Sequence, residues 1–104
     1  MNLAKLAAFL GEPYHADRQG IWKRTDAPSW ASNAVRMSDE SLFYALLARA
    51  AEKGLETGLS YMPHMKCWAV DLGQWSRGKP LHKGPTPLDA LVKAIEELPQ
   101  GEPV

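Results

Sequence analysis

One stretch of the chain has the spacing of a phosphate-binding loop. Residues 73–80 read GQWSRGKP, which gives G-x-x-x-x-G-K directly after a strand-like run at 66–72. A working P-loop cradles phosphates with backbone N–H groups and places a Ser or Thr hydroxyl on magnesium at the start of a helix. Here Lys79 is followed by Pro80, which supplies neither hydroxyl nor N–H. We therefore interpret 73–80 as the turn of an antiparallel hairpin, with Gly78 free to adopt a positive φ.

The same connection concentrates aromatic and basic side chains. They are Trp75, Arg77, Lys79, His82 and Lys83. An indole beside flexible cations suits a phosphate, a nucleobase or an acidic protein surface. The alternative is a solvated hairpin tip whose lysines protect the sheet edge from aggregation. Glu96 and Glu97 follow near the end of a predicted helix, where the dipole disfavours them. They form either a solvated face or a second, separate docking patch for a basic partner.

Metal and nucleophile chemistry find little support in the residue pattern. His64 and Cys67 have H-x-x-C spacing, but a structural zinc site needs paired clusters and one half is missing. Cys67 alternates with Trp68 on a predicted strand, so it is expected to be a small buried filler. No G-x-S-x-G elbow is present, and nothing in the sequence activates the thiol. We predict no metal, no cofactor and no catalytic residue, and thus not an enzyme.

Length and composition favour one ordinary globular domain. The 104 residues are 45% apolar and 23% charged, with twelve basic and twelve acidic residues. A balanced charge gives no global attraction to nucleic acid or to a membrane surface. The single cysteine excludes an intrachain disulfide, and no signal peptide or membrane-length apolar run is evident. We expect a cytoplasmic protein with one domain over residues 1–99 and a frayed tail at 100–104.

Two helices are predicted in the first half of the chain. Residues 3–10 carry apolar side chains at helical spacing, with Asn2 as the N-cap and Gly11 closing the helix. A second helix begins after Ser38, and Gly54 ends it with a Schellman-type cap.

The second half predicts a hairpin followed by a third helix. The apolar alternation over 55–62 and 66–72 is typical of strands, and a brief third strand is predicted through Leu81 and His82. Thr86 then caps a helix that Pro99 stops.

The region 12–37 is predicted to be mostly loop, with one short edge strand at 20–24. The predicted fold class is α+β: a small antiparallel sheet of three to four strands packed with two main helices and a short N-terminal helix. Trp68 shares a strand face with apolar residues and is expected in the core. Trp22 and Trp30 either cap the sheet or help to hold a ligand, and a place in the core is the expectation for aromatic side chains of this size.

Several pieces of the chain, taken in order, resemble a known group of proteins. The pieces are Leu3-Ala4-Lys5-Leu6 with Phe9-Leu10-Gly11, Trp22, Ser41 to Ala51, Trp68-Ala69-Val70, and Gly84-Pro85-Thr86-Pro87-Leu88-Asp89-Ala90-Leu91. This order resembles the small tailed-phage proteins of the phage ABA-sandwich type. The resemblance implies a phage or prophage origin and a helix–sheet–helix sandwich, and it implies no catalytic residues.

The leading functional hypothesis is a small phage-encoded, non-enzymatic protein that inhibits a bacterial defence system by protein–protein contact, as an anti-CRISPR protein does. It would act in the cytoplasm of the infected host. The alternative is a sponge for a cyclic nucleotide, stacked on Trp75, Trp22 or Trp30 beside the cations of 77–83, within an oligomer. A small hydrolase or nuclease is the third. A membrane partner is not expected, and neither is direct nucleic-acid binding; homo-oligomerisation remains open.

Overall fold

The computed structural model describes residues 2–25, 34–73 and 81–98, which form three helices and six strands. In chain order the elements are α1 (Leu3–Leu10), β1 (Tyr14–Asp17), β2 (Gly20–Arg24), β3 (Ala34–Arg36), α2 (Asp39–Glu52), β4 (Gly58–Met62), β5 (Cys67–Asp71), β6 (His82–Gly84) and α3 (Pro87–Glu96). The strands form two antiparallel sheets, the first ordered β1-β2-β3 and the second β4-β5-β6. This architecture confirms the predicted α+β class with its short N-terminal helix.

The caps of α2 are those that the sequence predicts. The Ser38 hydroxyl accepts the Ser41 N–H at 3.1 Å, which satisfies one of the unpaired donors of the first turn. At the other end, Gly54 has φ of 78° and the Leu55 N–H donates to the Ala50 carbonyl at 2.9 Å. These are the features of a Schellman cap, in which the residue after the left-handed glycine is apolar. Leu55 is accordingly buried beside the end of the helix rather than in a strand.

The third helix begins at its predicted cap and is buried on most of its surface. The Thr86 hydroxyl accepts the Asp89 N–H at 3.1 Å and donates to the Asp89 carboxylate at 3.0 Å. Pro87 takes the first position, where its missing N–H has no cost. The buried residues of α3 are Leu88, Ala90, Leu91, Val92, Ala94 and Ile95. They contact β5 and β6 on one side and α1 and α2 on the other, so α3 occupies the centre of the core.

The second sheet is only partly covered by α3. In its register Leu59 lies opposite Val70, and Tyr61 lies opposite Trp68, so all four share one face. Val70 is fully buried, whereas Leu59 and Tyr61 are 41% and 49% exposed. The alternating pattern therefore predicted the strand correctly, but its apolar side chains remain at the surface because α3 packs over β5 and β6.

Within the described residues of 12–37, the prediction of mostly loop was wrong, whereas the strand predicted at 20–24 is present, at the centre of a sheet and not at its edge. Strand β2 is the centre of the first sheet, with β1 and β3 paired antiparallel on either side. The β1–β2 turn is closed by the Asp17 carboxylate, which accepts the N–H groups of Gln19 at 2.7 Å and Gly20 at 3.1 Å. Such side-chain-to-backbone bonds form a tight turn. The strands that this turn joins lack the apolar alternation by which strands are recognised in a sequence.

Strands β5 and β6 are antiparallel neighbours, with Ala69 opposite Lys83. This register confirms that the P-loop-like stretch joins two antiparallel strands and does not lead into a helix. Residues 74–80 themselves lie outside the described part of the chain. None of the helices in the described ranges has the length and apolarity needed to cross a bilayer.

The close approach of β6 to α3 makes a testable prediction at Gly84. A Cβ atom there would lie 2.7 Å from the Ala90 nitrogen and 2.8 Å from the Asp89 Cβ. We expect Gly84→Ala to lower the free energy of unfolding by about 1–3 kcal/mol, as overpacking does. Gly54→Asn is the control, because no atom lies within 4 Å of its Cβ position and Asn tolerates the left-handed conformation. Urea denaturation measures both, and equal effects would contradict the packing.

Candidate functional site

The predicted binding residues divide into two groups. Trp75, Arg77 and Lys79 fall in 74–80, outside the described residues, and so does Trp30. The remaining four, His82, Lys83, Glu96 and Glu97, are described.

His82 is buried and connects β6 to the end of α3. Its side chain is 9% exposed, and its Nε2 lies 2.8 Å from the carboxylate of Glu97. The Nδ1 atom is buried without a hydrogen-bond partner. Lys83 points to the opposite sheet face, where its ammonium lies 3.9 Å from the Met65 sulfur. The predicted basic and acidic patches are therefore connected, since one histidine of the first touches one glutamate of the second.

Glu96 also makes contacts within the fold. Its carboxylate accepts the backbone N–H of Asn2 at 2.6 Å, and its carbonyl accepts the Lys5 ammonium. Both bonds tie the start of α1 to the end of α3. Glu97 keeps 68% of its side chain exposed, so it is the more accessible of the two carboxylates.

Metal chemistry gains no geometric support within the described ranges, where no three His, Cys, Asp or Glu side chains group closely enough to hold an ion. Cys67 is a half-buried thiol on β5. His64 lies exposed in the turn that precedes this strand.

The structure assembles a different polar group on the first sheet, which we call the outer face. Its members are His15, Asp17, Trp22, Arg24 and Arg36. His15 pairs directly with Trp22 across β1 and β2, and Trp22 pairs with Arg36 across β2 and β3. The other side of this sheet carries buried Ile21, with Tyr14 and Ala16 packed against the core. The outer face is thus the side turned away from the helices.

Both arginines of the outer face have a polar partner within the fold. The Arg36 Nε donates to the Gln19 carbonyl at 2.9 Å, and the guanidinium lies 3.1 Å from where a Cβ of Gly20 would sit. Arg24 lies 3.7 Å from the Glu12 carboxylate in an exposed pair, which contributes little to stability. Trp22 itself is half-buried, and the register places it on the same face as both arginines. An aromatic ring that shares a sheet face with two exposed arginines is suited to bind anionic or acidic surfaces.

Two polar atoms of the outer face have unmet hydrogen-bonding capacity. Trp22 Nε1 and His15 Nδ1 are both buried without a partner among the described residues. The pKa of Asp17 is nevertheless lowered, and the indole N–H of Trp22 is the largest cause of this shift, ahead of the N–H of Gln19. The indole thus acts on the carboxylate without the geometry of a full hydrogen bond.

A concave feature lies between α2 and the first sheet. It is a cleft of about 240 Å³ whose lining includes Tyr14, Lys23, Arg49 and Glu52. The Lys23 ammonium lies 5.9 Å from the Tyr14 ring centre, and Arg49 pairs with Glu52 at 3.0 Å. Its lining mixes both charge signs, and its volume is below the range usual for ligand pockets. The cleft therefore indicates no particular ligand.

Sequence reasoning named Trp22 as a residue of open role and did not name Arg36. The available signal was local: Ile21 and Trp22 are adjacent, so on a strand they must point to opposite faces. Arg36 could not be found in this way, because β3 was not predicted and its pairing with Trp22 is set by the sheet.

Comparison with protein-family models, curated protein sequences and solved structures gives no match to this chain. The resemblance to small phage proteins accordingly remains an expectation.

The contact between His82 and Glu97 predicts that two glutamate substitutions will lower the stability of the fold by unequal amounts. Glu97→Ala removes the partner of the buried His82, so we expect the free energy of unfolding to fall by about 1–3 kcal/mol. The matched control is Glu52→Ala, which breaks an exposed pair with Arg49 and should cost no more than about 0.5 kcal/mol. Urea denaturation distinguishes the two. Equal losses would show that the His82–Glu97 contact does not stabilise the fold.

The outer face predicts a coupling between Trp22 and Asp17. Trp22→Phe removes the indole donor, so the pKa of Asp17 should rise toward its ordinary value, as NMR titration of the carboxyl carbon would show. A lowered folded pKa gives stability that is present above the unfolded value and is lost as the pH falls through the folded value. The variant should therefore lose less stability in acid from this group. Trp68→Phe, far along the chain on the second sheet, should leave Asp17 unchanged.

Proposed function

We propose that this chain is a non-catalytic binding protein that engages an acidic surface of another protein through the outer face of the first sheet. The observation that carries the proposal is the register of that sheet, which sets half-buried Trp22 directly beside Arg36 on the side away from the helices. Tryptophan and arginine are the residue types most enriched among binding hot spots.

The charge of the outer face favours an acidic partner. Arg24 and Arg36 are exposed, and Arg18 lies exposed in the adjoining β1–β2 turn. Against these three cations stand Asp17 on the face itself and Glu12, which pairs with Arg24. Guanidinium groups form bidentate bonds to carboxylates and stack on aromatic rings, so they serve well at an interface. The protein would act by occupying its partner's surface rather than by chemistry.

For the identity of the partner, the resemblance to small phage proteins supports a bacterial defence complex. In that case the chain would be an anti-CRISPR-like inhibitor at work in the host cytoplasm. A defence complex that binds nucleic acid does so with a basic surface of its own. The basic outer face of this chain would therefore have to bind an acidic surface elsewhere on that complex.

A nucleotide ligand is the second candidate, and the pairing of Trp22 with Arg36 on the outer face favours it. A base could stack on the Trp22 ring while Arg36 bound the phosphate. A cyclic nucleotide at about 100 times its dissociation constant would stabilise the protein by about 2.7 kcal/mol. A panel of cyclic nucleotides in a thermal-shift assay tests this candidate, and no shift with any of them would exclude it.

The main proposal is tested by capture from cells that carry a defence system. The tagged wild type should retain a stoichiometric partner, and Arg24→Glu/Arg36→Glu should bind it about thirty-fold more weakly, equivalent to about 2 kcal/mol. Lys66→Glu/Lys93→Glu is the matched control, because it makes the same change in charge on other exposed positions. The outer face would be excluded by equal binding of both double variants. Recovery of no partner, together with no effect on defence, would contradict the proposed function.

A further inference from the structure

An uncharged edge strand sets the second sheet apart. β4 lies at the edge of its sheet, and residues 57–63, Thr-Gly-Leu-Ser-Tyr-Met-Pro, contain no charged side chain. Each other edge strand of the described sheets carries one: β1 has Asp17, β3 has Arg36 and β6 has Lys83. Charges on edge strands prevent pairing with other chains, so their absence leaves β4 open to it.

The side chains of β4 add an apolar surface to this open edge. Leu59 and Tyr61 are 41% and 49% exposed, although both point to the face that α3 covers on β5 and β6. The Tyr61 ring lies 5.2 Å from the half-buried Trp68 ring. A strand added beside β4 would cover these side chains and extend the apolar face of the sheet.

We propose that the strand added there is β4 of a second copy of this chain, paired antiparallel about Ser60. The strand reads Gly-Leu-Ser-Tyr-Met, so pairing about its centre sets Leu59 of each copy opposite Tyr61 of the other. Residues directly opposite share a face, so both Leu–Tyr pairs lie on the α3 side of a continuous six-stranded sheet. Aromatic–aliphatic cross-strand pairs of this kind are a main source of sheet stability.

The residues that flank β4 can pair as hydrogen-bond acceptor and donor. Glu56 precedes the strand and His64 follows it, and both are exposed. Antiparallel pairing about Ser60 brings each Glu56 to the end of the strand where the other copy has His64. A slip of one residue would move the apolar side chains of one copy to the opposite face, which specifies the register.

The size of the contact predicts a reversible dimer. Five residues extend for about 17 Å at the rise of an antiparallel strand. Such a contact falls at the small end of specific interfaces, so association should depend on protein concentration. This dimer is independent of the outer face, because β4 belongs to the other sheet.

Cross-linking tests the register. Directly opposite residues of an antiparallel pair have Cα atoms about 4.5–5.5 Å apart, a separation that a disulfide spans. In a Cys67→Ser background, which removes the native thiol, Ser60→Cys should give a covalent dimer on mild oxidation. Val35→Cys in the same background is the control, since Val35 is 57% exposed on the edge strand β3 of the other sheet. Equal cross-linking of the two variants would overturn the proposal.

Sedimentation across a concentration series tests the association without any cross-link. The wild type should shift from monomer to twice the monomer mass, while Leu59→Lys and Tyr61→Lys should stay monomeric with unchanged circular dichroism. Val35→Lys, a substitution at a more exposed position of an edge strand in the other sheet, should dimerise as the wild type does. A wild type that stays monomeric throughout would overturn the proposal, as would dimerisation of both lysine variants. A third result would also overturn the proposal: the wild type stays monomeric but captures another protein, and the lysine variants lose that protein. The edge of β4 would then bind a strand of a different protein.

Discussion

The packing of α3 against β6 is the interaction on which the rest of the structure depends. Ala90 and Ala94 are fully buried, and the hydrogen in place of a side chain at Gly84 lets the strand lie against the helix backbone. Leu91 and Ile95 fill the space toward the other elements of the core. Each large aliphatic side chain buried in this way contributes about 1.5–3 kcal/mol before the entropy of ordering is subtracted. Helix α3 also binds the start of α1, because Glu96 accepts hydrogen bonds from Asn2 and Lys5. The N-terminal helix is therefore held in place by the C-terminal one.

This central position of α3 determines which surfaces stay uncovered. A chain of 104 residues has one modest core, and here three helices must cover two sheets. Helix α3 covers β5 and β6 but leaves Leu59 and Tyr61 on β4 exposed. Helix α1 packs beside β1 and β2, and Ile21 of the first sheet faces the core, which turns Trp22 outward. Both proposed contact surfaces therefore follow from incomplete coverage of the sheets.

The sequence predicted the helices better than the sheets, for a physical reason. A helix is specified by neighbouring residues: Ser38 and Thr86 cap their helices through bonds three residues away, and Gly54 and Leu55 end α2 within one turn. The hairpin of β5 and β6 was also predictable, because Trp68 and Val70 alternate cleanly. In the first sheet only β2 was predicted. Strands β1 and β3 were missed because they are short and polar, and no local sequence pattern records that β3 pairs with β2. Arg36 was missed with β3. His82 was named as a binding residue from its type and loop position, but its burial against Glu97 depends on how α3 ends.

Native-state hydrogen exchange tests the central role of α3 most directly. If α3 holds the second sheet and the other two helices together, its backbone amides from Leu91 to Ile95 should be among the slowest to exchange, and they should open only with global unfolding. The amides of β1 and β3, at the edges of the first sheet, should exchange faster through local opening. Amides in α3 that exchange faster than those of β1, or that open without global unfolding, would contradict this account.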